Sequence, residues 1–288
     1  MRISGFCIVR NAEVLDFAVD ASLRSILPIC DEVVVNVGRS DDRTLEMVRA
    51  IGDPRIRILE TEWDFSRGEA VLRTETLRAM RACRFPWGVC IQADEVLHEA
   101  GAPRLRAAIE AADPDPSVEG IVVRYRHIFG DADTEAVNRQ WYRREVRAVR
   151  LDPALGIEPY RDAQGFRREP GHRRIRARMA DAEMFHYGWI RSARAMRARG
   201  AVDRVLYPGR WIPPGEQAAV LGWFPGLRPF RGTHPAVARE WVASRAHDPE
   251  RVVTPPHFAP AHVRFYLSDL VERLTGIRPF EFRNYRLV

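Results

Sequence analysis

The sequence predicts an α/β fold with a mostly parallel central sheet, helices on both faces and a helical, loop-rich C-terminal region. Two patterns in the 288 residues lead to this prediction. As far as residue 92, short apolar runs typical of buried strands alternate with helically spaced apolar residues, as in parallel sheets. After about residue 195 the chain becomes rich in Pro, Gly and Trp. We therefore expect one domain over 1–195 and an extension over 196–288.

The spacing of apolar residues predicts each element in turn. Buried strands are expected at 3–9, 31–37, 55–59 and 87–92. Helices are expected between them, at 12–26, 42–51 and 68–81. The first helical segment carries Val14, Phe17 and Ala21 at helical spacing. Farther on, the pattern predicts helices at 103–112, 192–199, 236–246 and 260–275, strands at 118–128 and 141–150, and loops over most of 151–183, where the arginines of 173–178 alternate as on a strand.

The composition favours anionic partners but does not show which kind of anion binds. The net charge of +6 suits anionic partners, which include nucleic acids, acidic lipids and nucleotide diphosphates. All 45 Lys and Arg residues are arginine, so any clamp on a phosphate group must be built from arginine. The four cysteines lack C-x-x-C spacing and are expected to be reduced thiols. No apolar run reaches the roughly 18 residues of a transmembrane helix, and we expect a cytoplasmic protein.

Polar residues follow the strands that are predicted to lie side by side. Arg10 and Asn11 follow the first strand, residues 36–42 end the second, and Asp94 and Glu95 follow the fourth. Because parallel strands share one carboxyl edge, these residues are expected to face one crevice. The acidic pair there could hold Mg²⁺ or Mn²⁺ against a diphosphate, since hard cations prefer oxygen ligands. Alternatively, the pair only caps the following turn.

The order of four motifs resembles that of glycosyltransferase family 2, whose members have the GT-A (Rossmann-like) fold. The motifs are R-N-A-E (10–13), V-V-N-V-G-R-S-D-D-R-T (34–44), W-D-F (63–65) and I-Q-A-D-E-V-L-H-E (91–99). Three later segments are similar to a poorly characterised branch with Q-A-D-E in place of D-x-D: W-Y-R-R-E-V-R (141–147), D-A-Q-G-F-R (162–167) and H-Y-G-W (186–189). The resemblance covers about residues 1–190.

The resemblance implies a site for a nucleotide-diphosphate sugar. It assigns the binding of this donor to Arg10, Asn11, Glu13, Asn36, Asp42, Gln92 and Asp94. It also implies a Mn²⁺ or Mg²⁺ ion on Asp94 and His186, although His186 could instead be a structural histidine among the neighbouring aromatic residues.

Two positions depart from the family pattern. Gln92 replaces the first Asp of D-x-D, and an amide oxygen attracts a dication less strongly than a carboxylate does. Asn36 replaces the Asp that accepts a hydrogen bond from the base. UDP- and GDP-linked donors therefore both remain open, and so does a catalytically inactive member of the same fold.

Inverting transfer, which the resemblance implies, needs a carboxylate that takes the proton of the acceptor hydroxyl. Asp162 is the first candidate, because its loop lies about where the family places the acid residue. Glu145 and Glu95 are the alternatives. Asp162 could also be an ordinary turn residue beside Gly165.

The expected function is transfer of a sugar from a UDP- or GDP-linked donor to an unknown acceptor, with 196–288 on the acceptor side. A GT-A-like nucleotidyltransferase would normally carry a Gly-rich first loop and a phosphate-binding lysine, and this chain has neither. A non-catalytic nucleotide- or nucleic-acid-binding protein is suggested by charge alone. No helix-turn-helix, RNP or zinc-finger pattern occurs, so we expect no nucleic-acid partner.

Overall fold

The carboxyl ends of the first four strands lie along one edge of a large sheet. The computed structural model describes residues 1–212, 215–246 and 248–288. Within it, β1 (Ile3–Val9), β2 (Glu32–Gly38), β3 (Ile56–Thr61) and β4 (Trp87–Cys90) pair in parallel in the order β3-β2-β1-β4. The predicted α/β class and the shared strand edge are confirmed.

The second half of the sheet is mixed rather than parallel. Its strands are β5 (Glu95–Leu97), β6 (Gly120–Phe129), β7 (Thr134–Ala136), β8 (Arg144–Arg150), β9 (Ile157–Tyr160), β10 (Gly165–Arg168) and β11 (Arg173–Trp189). Strand β8 runs antiparallel between β4 and β6, and β6 is parallel to β11. Strand β5 pairs antiparallel with the end of β11. The expectation of a mostly parallel sheet therefore holds only for its N-terminal half.

Helices cover both faces of the N-terminal half. They are α1 (Val19–Ile26), α2 (Thr44–Ala50), α3 (Ala70–Arg81) and α4 (Ala102–Ala112). Cys7 and Val35 point from the sheet into a core shared with α1, α2 and α4, whereas Phe6 and Val34 point to the opposite side, towards α3. All positions of β2 and β4 and all but Ile8 of β1 are buried, which explains the continuous apolar runs in these strands, whereas the edge strand β3 is only partly buried.

The predicted helix at 12–26 is wrong in its first half, because α1 begins only at Val19. Asn11 and Asp16 both have φ near +52°, a left-handed conformation that a helix excludes. The intervening turn is fastened to the loop before α2: Ala12 N donates to Thr44 Oγ1 (2.6 Å), and Val14 N donates to Asp42 Oδ2 (2.9 Å). The apolar spacing is the same in turn and helix, so periodicity alone does not separate them.

The prediction of loops over 151–183 is also wrong. That stretch contains β9, β10 and most of the 17-residue strand β11. The alternating arginines of 173–178 lie on β11, as their spacing indicated. Arg167 of β10 and Arg174 of β11 are cross-strand partners in the antiparallel β10–β11 pair. Strand β10 and the first part of β11 (173–178) are rich in arginine and poor in large apolar residues, so they lack the usual strand signal.

The C-terminal region is helical and rich in loops, as predicted. It contains α5 (Ala193–Leu206), α6 (Arg239–Ala243) and α7 (Val263–Thr275), with short strands β12 (Val220–Leu221), β13 (Leu227–Pro229), β14 (Val252–Val253) and β15 (Tyr285–Leu287). Strand β15 returns to the sheet beside β11. The domain division at residue 195, which falls within α5, remains a prediction. None of the described helices is long and apolar enough to cross a membrane.

Candidate functional site

A cavity of about 260 Å³ opens at the carboxyl edge of β1 and β4. Its floor is formed by the ends of these strands, and α5 covers it from above. The polar residues that line it are Arg10, Thr76, Gln92, Asp94, Asp162, His186, Arg191, Arg199, Asp203 and Tyr207. The sequence predicted a binding crevice at this strand edge. The fold also brings two segments distant in sequence to it, the 162–163 turn and the end of β11.

Asp94 lies in the turn between β4 and β5, with the turn fixed against β11. The backbone N–H of Tyr187 donates to the carbonyl oxygen of Asp94 (2.9 Å). The Asp94 carboxylate accepts from the Arg191 guanidinium, and its Oδ2 lies 3.6 Å from Nε2 of His186. Burial alone would raise the pKa of Asp94, but the charges of His186 and Arg191 outweigh it and hold this pKa well below its usual range. Asp94 is thus an anion.

His186 is oriented by a second histidine that sequence reasoning missed. His127 on β6 is 3% exposed, and its Nε2 lies 2.7 Å from the carbonyl oxygen of Tyr142, so this nitrogen must carry a proton. Burial, together with the charge of His186, lowers the pKa of His127 to about 3, so His127 is neutral. Its bare Nδ1 therefore accepts from Nδ1–H of His186, 3.2 Å away. This leaves Nε2 of His186 facing Asp94.

Gly188 allows this arrangement because it has no side chain. A Cβ at position 188 would lie 2.7 Å from Nε2 of His186 and 3.0 Å from Oδ2 of Asp94. Both distances are shorter than a van der Waals contact, so the polar pair is cradled by bare backbone. Gly188 belongs to the H-Y-G-W segment, and the structure gives the physical reason for a glycine there.

Two arginines that the sequence did not single out bring positive charge to the cavity. Arg191 is 2% exposed, stacks over the ring of Phe17 at 4.2 Å, and has a buried Nε with no hydrogen-bond partner. Burial lowers its pKa to about 10, so it stays charged at neutral pH. Arg199 donates to the carbonyl oxygen of Gly188 (3.0 Å). In a chain with 45 basic residues, no local pattern marks these two.

Asp162 lies on the turn between β9 and β10, at the other wall of the cavity. The hydroxyl of Tyr207, at the end of α5, donates to its Oδ2 (3.0 Å). The residues on either side, Arg161 and Ala163, have φ of 53° and 63°, an unusual pair of left-handed non-glycine residues. The carbonyl oxygen of Ala163 accepts from the side chain of Gln92 (3.3 Å). The structure therefore brings Asp162, Gln92, Asp94 and His186 to one cavity.

The donor-binding residues predicted in the loops after β1 and β2 do not all line the cavity. Arg10 lines the cavity and stacks over the ring of Phe65 at 4.8 Å. Asn11, Glu13 and Asp42 instead join the loops after β1 and β2. Asn11 Oδ1 accepts from the backbone N–H of Asp41 (3.1 Å), Glu13 pairs with Arg43, and Asp42 accepts from Val14 N. None of these three side chains lines the cavity, and their part in donor binding remains a prediction.

Asn36 does not line the cavity. It is fully buried, its amide nitrogen donates to Glu75 Oε2 (2.9 Å), and its amide oxygen accepts from the Thr61 hydroxyl (2.5 Å). The hydrogen-bonding groups of its side chain are thus engaged within the protein. Base recognition by Asn36 remains untested.

Glu95 is the immediate neighbour of Asp94 but points into the protein. It is fully buried and forms a bidentate ion pair with Arg147, at 2.9 and 2.6 Å. It also accepts from the Tyr125 hydroxyl (2.7 Å) and from the backbone N–H of Gln92 (3.1 Å). This cluster joins the Asp94 turn to β6 and β8. The geometry favours a positioning role for Glu95 over that of a base.

Glu145 on β8 is likewise buried away from the cavity. Its carboxylate accepts from the backbone N–H of Val146 and from the Asn284 side chain, both at 2.8 Å. Burial, which outweighs the attraction of Arg147, raises its pKa to about 7. Of the three predicted bases, only Asp162 lines the cavity.

Comparison with known proteins finds partial structural likeness and no sequence family. No family model and no curated protein matches the chain. Among solved structures, S. aureus TarS has a TM-score of 0.43 at 12% identity, covering 70% of this chain and 39% of TarS. S. aureus TarS 1–349 in complex with UDP gives the same score and identity, with coverages of 72% and 70%.

A second solved structure is similar over a smaller region. Mycobacterium tuberculosis glucosyl-3-phosphoglycerate synthase, in complex with Mn²⁺, UDP and phosphoglyceric acid, has a TM-score of 0.32 at 20% identity, covering 44% of this chain and 43% of that one. The chain thus spans less than half the length of that enzyme and of TarS. All these scores lie below 0.5, so the function is argued from the residues of the cavity.

The buried pair of Glu95 and Arg147 leads to a prediction about stability. Glu95→Gln leaves the Arg147 charge buried without a counter-charge, which costs about 3–5 kcal/mol of unfolding free energy. Glu62→Gln, which breaks the exposed pair with Arg39, is the matched control and should cost less than about 1 kcal/mol. Urea unfolding measures both. Equal losses of unfolding free energy in the two variants would show that the pair of Glu95 with Arg147 is no more important for stability than an exposed ion pair.

Glu145 leads to a prediction about pH. Its folded-state pKa, about 7, lies above the ordinary value of 4.5, so the unfolded chain loses this proton first as pH rises. The stability that Glu145 contributes is fully present below pH 4.5 and is lost as pH rises through about 7, a total change of about 3 kcal/mol. Between about pH 4.5 and about pH 8, we expect the unfolding free energy of wild type to fall by this amount more than that of Glu145→Gln. Urea unfolding measures both. A difference that does not change with pH would show that the pKa is not raised.

Proposed function

We propose that this chain transfers a sugar from a nucleotide-diphosphate donor to an acceptor hydroxyl. The observation that carries the proposal is the convergence of Asp94, His186 and Asp162 on one cavity at the carboxyl ends of parallel strands. Such an edge is where α/β sheets bind nucleotides. The three residues come from the ends of β4 and β11 and from the β9–β10 turn, in the order that the family resemblance implies.

The residues present fit a Mn²⁺ or Mg²⁺ ion that also binds the diphosphate. Asp94 Oδ2 and His186 Nε2 lie 3.6 Å apart, close enough to share one cation, and Asp94 Oδ1 accepts no hydrogen bond from the described residues. No group of three or more His, Cys, Asp and Glu side chains is placed to hold a metal in the described part of the chain. Diphosphate oxygens would therefore supply the remaining ligands, as is usual for Mg²⁺. The ion would neutralise charge on the departing diphosphate.

The remaining cavity residues divide between the two ends of the donor. Arg191 and Arg199 line the cavity near Asp94, where their guanidinium groups can pair with diphosphate oxygens. The unpartnered Nε of Arg191 has a donor to offer such a ligand. Arg10, Trp63 and Phe65 form the other end, and the flat surfaces of the two aromatic rings suit a nucleobase. UDP- and GDP-linked sugars are the donors to test.

Transfer needs a base, and Asp162 is the carboxylate we assign to it. The acceptor hydroxyl loses its proton to Asp162 as its oxygen forms a bond to the anomeric carbon. The bond from that carbon to the diphosphate oxygen breaks, and its electron pair leaves with the nucleoside diphosphate. Attack from the face opposite the leaving group inverts the anomeric centre. Tyr207 orients the base through its hydrogen bond to Oδ2.

This assignment predicts a specific kinetic defect. Asp162→Asn should slow release of the nucleoside diphosphate from the sugar nucleotide by roughly 100-fold or more, the usual effect of losing a general base. Its affinity for UDP or GDP with Mn²⁺ should match wild type, because Asp162 does not contact the donor in this scheme. The measurements are nucleotide release with a panel of sugar nucleotides and calorimetry with the nucleoside diphosphate.

Asp20→Asn is the matched control, since Asp20 is an exposed carboxylate paired with Arg24 on α1. It should behave as wild type in both measurements. If Asp162→Asn releases nucleotide as fast as this control, the base lies elsewhere. If wild type binds neither UDP nor GDP with Mn²⁺ and turns over no UDP- or GDP-sugar, the proposed function is wrong.

A further inference from the structure

A second, smaller cavity lies on the far side of the turn that carries Asp162. It has a volume of about 190 Å³, and Arg161 and Gln164 of that turn form one wall. Asp162 and Ala163, the residues between them, line the first cavity. The turn is therefore a shared partition, with the proposed base on one side and an arginine on the other. Arg139 forms part of the opposite wall of the second cavity.

The two arginines of this cavity differ from most of their neighbours in having no carboxylate partner. Arg143, for example, is paired with Glu272 and Glu281. Within the described residues, Arg139 and Arg161 make neither an ion pair nor a hydrogen bond through their side chains. Each instead stacks on an aromatic ring: Arg139 on Phe280 at 5.3 Å, and Arg161 on Phe282 at 5.4 Å. Such stacking holds a guanidinium in place and leaves its N–H donors available.

The one carboxylate in the cavity wall is already neutralised. Glu281 accepts from Arg143 (2.6 Å) and also pairs with Arg283. Burial would raise the pKa of Glu281, but these two arginines outweigh it and lower that pKa, so this acid is committed to its own ion pairs. The cavity therefore carries the uncompensated positive charge of Arg139 and Arg161, and its complementary ligand is an anion.

We propose that this cavity binds an anionic group of the acceptor, a carboxylate or a phosphate, while the rest of the acceptor passes over the 161–164 turn and places its hydroxyl at Asp162. That the ligand is an acceptor depends on the function proposed above. The anion site itself is inferred from Arg139 and Arg161 alone. A guanidinium presents paired N–H donors that match the oxygens of either group. A neutral sugar would leave both charges without a partner.

The test uses inorganic phosphate and acetate as probes on the full chain. UDP and Mn²⁺ are first added to saturation so that the donor cavity is filled, and each anion is then titrated by calorimetry. We expect Arg139→Gln and Arg161→Gln each to weaken anion binding at least about tenfold, the size of one lost charged hydrogen bond. Both variants should bind UDP as wild type does. Tighter binding of phosphate indicates a phosphorylated acceptor, and tighter binding of acetate a carboxylated one.

Arg264→Gln is the matched control. Arg264 stacks on Phe265 at 4.7 Å in the same way, but it lines neither cavity. Loss of anion binding in all three variants alike would reflect net charge alone and would overturn the proposal. So would unchanged binding in Arg139→Gln and Arg161→Gln, or no binding of either anion by wild type. If UDP fails to bind, the proposed function fails separately, and the same comparison in nucleotide-free protein still decides the anion site.

Discussion

The position of the Asp94 turn depends on the buried ion pair between Glu95 and Arg147. The pair is completely removed from solvent and is completed by the hydroxyl of Tyr125 and the backbone N–H of Gln92. Such a pair is costly to bury, and it is stable only when its hydrogen bonds are all made. Because they are made here, β6 and β8 are tied to the turn, and Asp94 is held on the opposite side, facing His186. Glu95 thus fixes the position of its neighbour Asp94.

Elsewhere around the cavity, too, one residue positions the side chain of another. His127 fixes the ring of His186, Gly188 leaves space beside it, and Tyr207 orients Asp162. Of these three supporting residues only Tyr207 lines the cavity itself, whereas His127 and Gly188 act on His186 from outside it. A cavity assembled in this way holds its charged groups before any ligand arrives, and such preorganisation is the main source of electrostatic stabilisation in enzymes.

Sequence reasoning predicted the parts of this arrangement that depend on strand pattern. Strands β1 to β4, and the meeting of Gln92, Asp94, Asp162 and His186 at one cavity, followed from alternation and motif order. It did not show which way neighbours point: Glu95 follows Asp94 directly, yet it lies on the other side of the turn. His127 and His186 are partners only through the β6–β11 register. Arg191 differs from other arginines in its burial, and Arg139 and Arg161 differ in lacking a carboxylate partner among the described residues; composition shows neither property.

We propose that Asp94 and His186 hold the cation that binds the donor diphosphate. Diffraction at the manganese absorption edge, from crystals grown with UDP and Mn²⁺, tests it directly. We expect one strong anomalous peak in contact with the Asp94 carboxylate, Nε2 of His186 and the diphosphate, and loss of that peak in Asp94→Asn. UDP bound in the cavity with no peak beside Asp94, or a peak that persists in Asp94→Asn, would contradict it.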